Sequence, residues 1–398
     1  MIASALDPYV SAWFDAILRF LHVVSAIAWI GASFYFVALD SKLRPPTRRE
    51  DADEGVGGEV WEVHGGGFYR VHKFRVAPRV LPEELQWFKW EAYTTWASGF
   101  ALLVVLYYLD ASTYLVDPRV ADLTDLEAVA LSFGGLLLAW AVYDLLLRFV
   151  PDEDVAAAAI VGLTALAAWG ASELFAPRAA WLQVGAMLGT IMAANVFFSI
   201  IPAHRGLIAA KEEGLEPDPR PALDAKRRSV HNNYLTLPVL VTMLAGHAPF
   251  LYAHSHAWLI LLALMAIAAW VRLFFNLRHT GRTRPGILLV AAVALLALAI
   301  ALDPDEGGGD KAAGGGGGKA VAFATVRSIV DARCVTCHSG AAAPAGIRLD
   351  DDAVLRARAA LVRTVVSTGA MPLGNQTGMT DDERATVVAW VDQGSAAK

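Results

Sequence analysis

AWLILLALMAIAAWVRLFFNL, residues 257–277, carries one charged side chain in its whole length. A helix of about 20 mostly apolar residues is what a hydrocarbon core of about 30 Å requires. The stretch therefore reads as the body of a membrane span, 255–277, and its two polar exceptions, Arg272 and Asn276, both fall near one end. Seven other runs share its character: 13–39, 90–109, 127–149, 156–175, 180–203, 231–249 and 285–302. Trp and Tyr stand near several of their ends, as interfacial anchors do. With 398 residues, 56% hydrophobic and 18% charged, and a mean hydropathy of +0.44, the chain is too apolar for an ordinary soluble protein. No basic segment, short apolar stretch and small-residue cleavage site precede the first run, which is expected to serve as the insertion signal itself.

Lys and Arg set the expected orientation. Loop 40–89 holds Lys42, Arg44, Arg48, Arg49, Arg70, Lys73, Arg75, Arg79 and Lys89; loops 204–230 and 278–284 are also basic. The loops that must lie on the other side, 110–126, 176–179 and 250–254, hold only Arg119 and Arg178. Basic residues stay in the cytoplasm. Both chain ends are then outside, and the basic loops serve topology, not nucleic acid.

Residues 303–319, DPDEGGGDKAAGGGGGK, read as a tether with no core of its own. Beyond it, 320–333, 352–366 and 381–394 each have the periodicity of an amphipathic helix, and Thr380 with Glu383 forms a capping box for the last. The expected fold is all-α: an eight-helix transmembrane bundle (1–302), the linker, and a small class I-like cytochrome c domain (320–398). The last expectation rests on Cys334-Val335-Thr336-Cys337-His338, a C-x-x-C-H motif. Two thiols can add to the vinyl groups of a haem c, and the adjacent His is placed to ligate the iron. A zinc site would need two more Cys or His ligands nearby, and no His follows His338. A thioredoxin-like motif would need a βαβ context. Met371, in Gly369-Ala370-Met371-Pro372, is the favoured sixth ligand, with Met379 the alternative. Haem of this kind is attached outside the bacterial inner membrane, in agreement with the basic-loop orientation.

Ionisable and amide groups within spans are costly and default to functional readings. Asp144, Asn195, Arg272, Asn276 and the run Arg228-Ser229-Val230-His231-Asn232-Asn233-Tyr234 all fall toward the cytoplasmic side. Together they suggest a polar pocket for a flat, heteroatom-rich ligand. Arg228, or Arg227 beside it, is expected to pair with an anion, Asn195, Asn232 and Asn233 to read its edges, His231 to accept a proton, and Tyr234 to stack or hydrogen-bond. His22 and His247, in the outer halves of their spans, are either cross-helix hydrogen-bonding groups or opposite ligands of a haem b that would relay electrons across the bilayer. His64-Gly65-Gly66-Gly67 matches an esterase oxyanion loop, but no G-x-S-x-G elbow accompanies it, and no dinucleotide fingerprint is present.

The chain resembles the bacterial membrane-bound urate oxidases, which fuse an eight-span domain to a cytochrome c domain. The resemblance lies in Leu21 to Phe36, Gly58 to Tyr69, Leu81 to Gly99, Asn195 to Pro202 and Arg228 to Pro238, together with the C-x-x-C-H motif. It implies oxidation of urate to 5-hydroxyisourate in purine catabolism, with electrons passing through haem c to a terminal oxidase or soluble cytochrome. Two rivals share the motifs: a quinol-oxidising electron-transfer protein, and a membrane ligand sensor or transporter with a redox-reporting cytochrome.

Overall fold

The computed structural model describes residues 8–302 and 321–395 apart from 245, 247, 253, 255, 341–342 and 344–346. Each apolar run forms a helix. The first is α1 (Pro8–Lys42), followed by the short α2 (Arg49–Asp53). α3 (Trp90–Leu103) continues through a π-turn, Val104–Tyr108, to the short α4 (Ala111–Tyr114). α5 (Asp125–Phe149) and α6 (Glu153–Leu174) form a pair. α7 (Pro177–Ala194) runs through a second π-turn, Asn195–Ile200, into α8 (Ile201–Glu212). Then come α9 (Arg220–Leu244), the short α10 (Pro249–Tyr252), α11 (Ala257–His279) and α12 (Gly286–Ala301).

Among the described residues five helical stretches are long and apolar enough to cross a membrane: Trp13–Lys42, Asp125–Phe149, Glu153–Leu174, Pro177–Glu212 and Ala257–His279. The other three depart for visible reasons. α12 is apolar but shorter, the first half of α3 carries Glu91, Tyr93, Thr94, Thr95 and Ser98, and the first half of α9 carries Arg220, Asp224 and the basic run Lys226-Arg227-Arg228.

The chain is mostly helical, with one strand pair added to the expected helices. Within loop 40–89 an antiparallel hairpin forms from β1 (Val56–His64) and β2 (Gly67–Phe74). Its alternation of Val, Trp, Phe and Tyr with polar residues is strand patterning. Gly65 and Gly66 both take positive φ, +59° and +82°, as a two-residue hairpin turn of the primed type requires. Counting basic residues for topology hides that alternation.

α7 occupies the middle of the bundle. More than half of its apolar window is buried, 56%, against 28% or less in the other four. Gly185 is what lets α9 approach it: a Cβ there would collide with the Thr242 hydroxyl, the small-residue contact by which apolar helices pack closely. The outward faces keep large apolar side chains exposed, such as Ile17, Phe20 and Ile27 on α1.

The C-terminal unit has its own core of Val326, Val330, Leu355, Val366, Val387 and Trp390. The expected helix 352–366 is two, Asp352–Ala357 and Ala359–Ser367, parted at Arg358. Helices Phe323–Arg333 and Asp381–Asp392 flank them, the latter with the Thr380–Glu383 capping box formed. This unit sits on the basic-poor loop after α3. Arg119 Nη2 donates to the Gly369 carbonyl at 3.0 Å, the Gln376 amide bonds the Thr113 hydroxyl, and Ala370 packs on the bundle core. The unit therefore lies at the end opposite the basic loops. Residues 303–319, the expected linker, are outside the described residues.

The base of the hairpin is held by charge. Arg70 bridges Asp51 and Glu59, and the Thr47 hydroxyl donates to Glu59 at 2.8 Å. Thr47 first and Arg70 second hold the Glu59 carboxyl down at about 2. A depressed carboxylate contributes stability above its ordinary value of 4.5, and that stability is lost as pH falls toward about 2. Hydrogen exchange in residues 56–74 should stay slow down to about pH 4.5 and quicken below it. In Glu59→Gln it should be fast already at neutral pH; unchanged exchange in that variant would remove Glu59 from what holds the hairpin.

Candidate functional site

The polar residues singled out from the sequence do converge at the basic-loop end of the bundle, but they split into two hydrogen-bonded chains with different ends. The direction of each can be read from its first donor, because a guanidinium only donates.

The first chain starts at Arg228, which is 3% exposed. It is paired with Asp144 at 2.8 Å and Asp224 at 2.8 Å, and its Nη1 donates to Asn195 Oδ1 at 3.1 Å. With Asn195 so oriented, its Nδ2 donates to Asn232 Oδ1 at 2.9 Å and to the Tyr143 hydroxyl at 3.0 Å. Asn232 Nδ2 in turn donates to the Met192 carbonyl at 3.0 Å. The other branch runs from the Tyr143 hydroxyl to His231 Nδ1 at 2.9 Å, and His231 Nε2 faces Glu153 at 3.6 Å. Both branches close on protein acceptors. Arg228 is thus paired with two carboxylates, and His231 sits between Tyr143 of α5 and Glu153 of α6, so in this arrangement both residues tie helices together.

The second chain starts at Arg272, 2% exposed and without a carboxylate partner among the described residues. Its guanidinium lies 3.6 Å over the Phe34 ring, and its Nε donates to Asn233 Oδ1 at 2.5 Å. Asn233 Nδ2 must then donate to Asn276 Oδ1, at 3.1 Å. That leaves Asn276 Nδ2 as a terminal donor with no acceptor among the described residues. Asn276 lines a cavity of about 660 Å³ between α1, the segment before α3, the second π-turn and α9, within the range of small-molecule sites. Trp29, Phe36, Trp87 and Tyr234 supply aromatic walls; Asn232, Asn233, Asn276, Lys226 and His204 supply polar groups. Lys226 makes no ion pair among the described residues. A second cavity of about 760 Å³, lined by Trp140, Phe198, Asp144 and Arg228, opens beside the closed chain.

Nothing in the sequence pattern marks Lys226 or His204 as a wall of this cavity, and Arg272 reads there only as a polar intruder. The available signal is Arg272 itself, a cation in the least interrupted apolar run. The second π-turn, a device often found at functional sites, brings Val196 and Ile200 to the cavity wall.

His22 lies between α1 and α3. Its Nδ1 is 2.9 Å from the Thr95 carbonyl and 3.2 Å from the Ser98 hydroxyl, and its ring fills the place a Cβ at Gly99 would need, 2.8 Å away. His247 lies outside the described residues.

At the other end, the amides of Cys337 and His338 both bond the Cys334 carbonyl, 3.2 and 2.9 Å, making a tight turn. Cys334 packs on the unit's core while Cys337 is exposed. Burial pushes the Cys334 thiol up to about 11. His338 Nδ1 donates to the Ile347 carbonyl at 3.1 Å, leaving Nε2 for a metal. Met371 is half-buried, its carbonyl held by Arg384 at 2.7 Å; Met379 is 3% exposed within the core. This donor set suits a thioether-linked haem: two thiols, an oriented imidazole and a loop methionine.

A family model described as urate oxidase N-terminal matches residues 8–303. No curated protein and no solved structure matches closely enough to extend that comparison.

If Arg228 ties helices together, removing it leaves Asp144 with only the exposed Arg148, 2.7 Å away, and Asn195 Oδ1 without its donor. Arg228→Ala should destabilise the bundle by about 1–3 kcal/mol, seen as a lower melting temperature in detergent, and Arg228→Ala with Asp144→Ala should recover part of the loss. A variant as stable as the parent would assign Arg228 elsewhere.

Proposed function

We propose, because the chain belongs to the urate oxidase N-terminal family, that it is a membrane oxidoreductase that converts urate to 5-hydroxyisourate in the cavity beside Asn276. The single observation that carries this reading is the open end of the Arg272–Asn233–Asn276 chain. Urate is flat, anionic at neutral pH and edged with carbonyls and N–H groups. Asn276 Nδ2 would donate to a carbonyl or ring nitrogen. Arg272, buried behind it, and Lys226 on the wall supply positive charge. The aromatic walls suit a purine face.

The overall change is urate plus water giving 5-hydroxyisourate, two protons and two electrons. His204 is the imidazole on the cavity wall and would take the first proton. Asn232 and Asn233 hold the wall in shape, since their amides are already committed. Cys334, Cys337, His338 and Met371 would hold a haem c, which when bound would supply one-electron acceptance. The terminal oxidase or soluble cytochrome that drains it would meet the C-terminal unit on the periplasmic side of an inner membrane.

Electrons must travel from one end of the bundle to the other. Aromatic rings line α3 along that route: Trp96 stacks on Phe100 at 5.4 Å, Phe100 meets Tyr108 at 6.5 Å, and Tyr107 meets Tyr114 at 6.1 Å. Burial first and Asp110 second push the Tyr114 hydroxyl up, and the neighbouring Thr113 bonds Gln376 of the C-terminal unit. A haem b held by His22 completes the proposal, since an imidazole whose Nδ1 meets a carbonyl offers Nε2 to a metal.

Three outcomes follow. Urate added anaerobically to haem-loaded membranes should reduce the haem c band; reduction only by quinol would overturn the substrate assignment. Asn276→Ala should raise KM for urate at least about tenfold, equivalent to about 1.4 kcal/mol, while His231→Ala keeps KM near the parent value; the reverse order would misplace the site. His22→Ala should lose the b component of a pyridine haemochrome spectrum and keep the c component; a parent spectrum with c alone would remove haem b.

A further inference from the structure

The hairpin β1–β2 does not project away from the bundle. It folds back along α1. At its base Gly58 abuts Leu43 and Glu59 pairs with Arg44. One step on, Lys73 bonds Asp40 at 2.7 Å. Further toward the turn, the Tyr35 hydroxyl donates to Glu62 at 2.5 Å. Four residues of strand cover about 13 Å, and eight residues of helix cover about 12 Å. The strand thus runs alongside α1 in the reverse direction, and its turn lies deeper than Tyr35, inside the length of helix read as a span.

The two faces of the hairpin differ. Pairing places Trp61 opposite Arg70 and Val63 opposite Phe68, so these four share one face, while Glu62 and Lys73 on the other face meet α1. On the free face the character changes along the strands. The base carries Glu59, His72 and, through Arg70, Asp51. Arg70 then lies 5.7 Å from the Trp61 ring. The end near the turn carries only Val63 and Phe68. Trp61, Val63 and Phe68 are 59, 68 and 78% exposed, beside an α1 surface that is itself apolar and exposed at Ile27.

We propose that this hairpin is an interfacial anchor whose turn end rests in the cytoplasmic leaflet, with Trp61, Val63 and Phe68 against lipid at the boundary of headgroups and acyl chains. The proposal rests on the membrane reading of α1. The occupant is lipid because the apolar face continues the lipid-facing surface of α1, and because the order of charge, Trp with Arg, then aliphatic and Phe is the order of an interface crossed from water inward. The depth is limited to the interface. A two-stranded ribbon has unpaired edge N–H and C=O groups that hydrocarbon would not satisfy, and alone it is marginally stable; α1 on one face and lipid on the other supply what it lacks. Asp40, bonded to Lys73, also lines the Asn276 cavity, so the anchor braces one wall of that cavity.

The test places a nitroxide on single cysteines in the haem-loaded full chain, whose two native cysteines are both in the C-x-x-C-H motif. Positions are Val63→Cys and Phe68→Cys at the turn end, Ile27→Cys on α1 and Glu54→Cys before the hairpin. The chain is reconstituted in phosphatidylcholine–phosphatidylglycerol nanodiscs and collision with oxygen is compared with collision with a water-soluble nickel chelate. Positions 63 and 68 should favour oxygen at shallow depth, 27 should favour oxygen more strongly, and 54 should favour nickel. Nickel at 63 and 68 with oxygen at 27 would overturn the anchor and leave the span intact. Nickel at 27 as well would overturn both. Shielding of 63 and 68 from both reagents would mean a protein contact and would overturn lipid as the occupant.

Discussion

A buried amide cannot choose its orientation freely once one neighbour can only donate. That constraint governs the polar half of this bundle. In a region read as facing lipid, there is little water to satisfy a misdirected carbonyl or amide, and an unpaired group costs several kcal/mol. Arg228 and Arg272 each fix an asparagine, that asparagine fixes the next, and the sense of the whole chain follows. The Arg228 chain ends on the Met192 carbonyl and on the Glu153 side, so it is closed and serves cohesion. The Arg272 chain ends at a cavity wall, on a donor with no acceptor among the described residues. Two chemically similar chains, passing through the neighbouring Asn232 and Asn233 of α9, thus divide into scaffold and site by where they end.

The same division explains the placement of charge. Arg228 has two carboxylates, whereas Arg272 has none among the described residues and rests on a phenyl ring. An uncompensated cation in a low-dielectric setting is a standing bias toward a negative ligand. The central helix α7 joins the two arrangements. It supplies Met192 to the closed chain and to the cavity wall, and its π-turn begins at Asn195.

Much of this is legible in the amino-acid order alone. The apolar runs locate the helices because lipid demands length and apolarity together. The convergence of Asp144, Asn195, Arg272, Asn276 and Arg228 to Tyr234 follows from placing each at a depth. Facing is what a linear pattern does not carry. Arg228 and Lys226 are two residues apart on one helix, yet one is locked among acids and the other lines the cavity; a net charge count treats them alike. His231 and Asn232 are adjacent and therefore point to different sides, which separates the expected proton acceptor from the expected ligand reader. The hairpin is hidden for another reason: its strand alternation lies inside a loop whose basic residues already have a purpose in topology. The split at Arg358, between two short helices with a shared apolar face, leaves no mark in the hydrophobic period.

Chemistry at this end of the bundle stands or falls on the ligand meeting Asn276. A density map of the full chain at saturating urate, collected without an electron acceptor, tests this most directly. Flat density between the Trp29 and Trp87 walls, within hydrogen-bonding distance of Asn276 Nδ2, is the expected result. Density instead in the neighbouring cavity beside Trp140 and Arg228, or nowhere in the bundle, would contradict it.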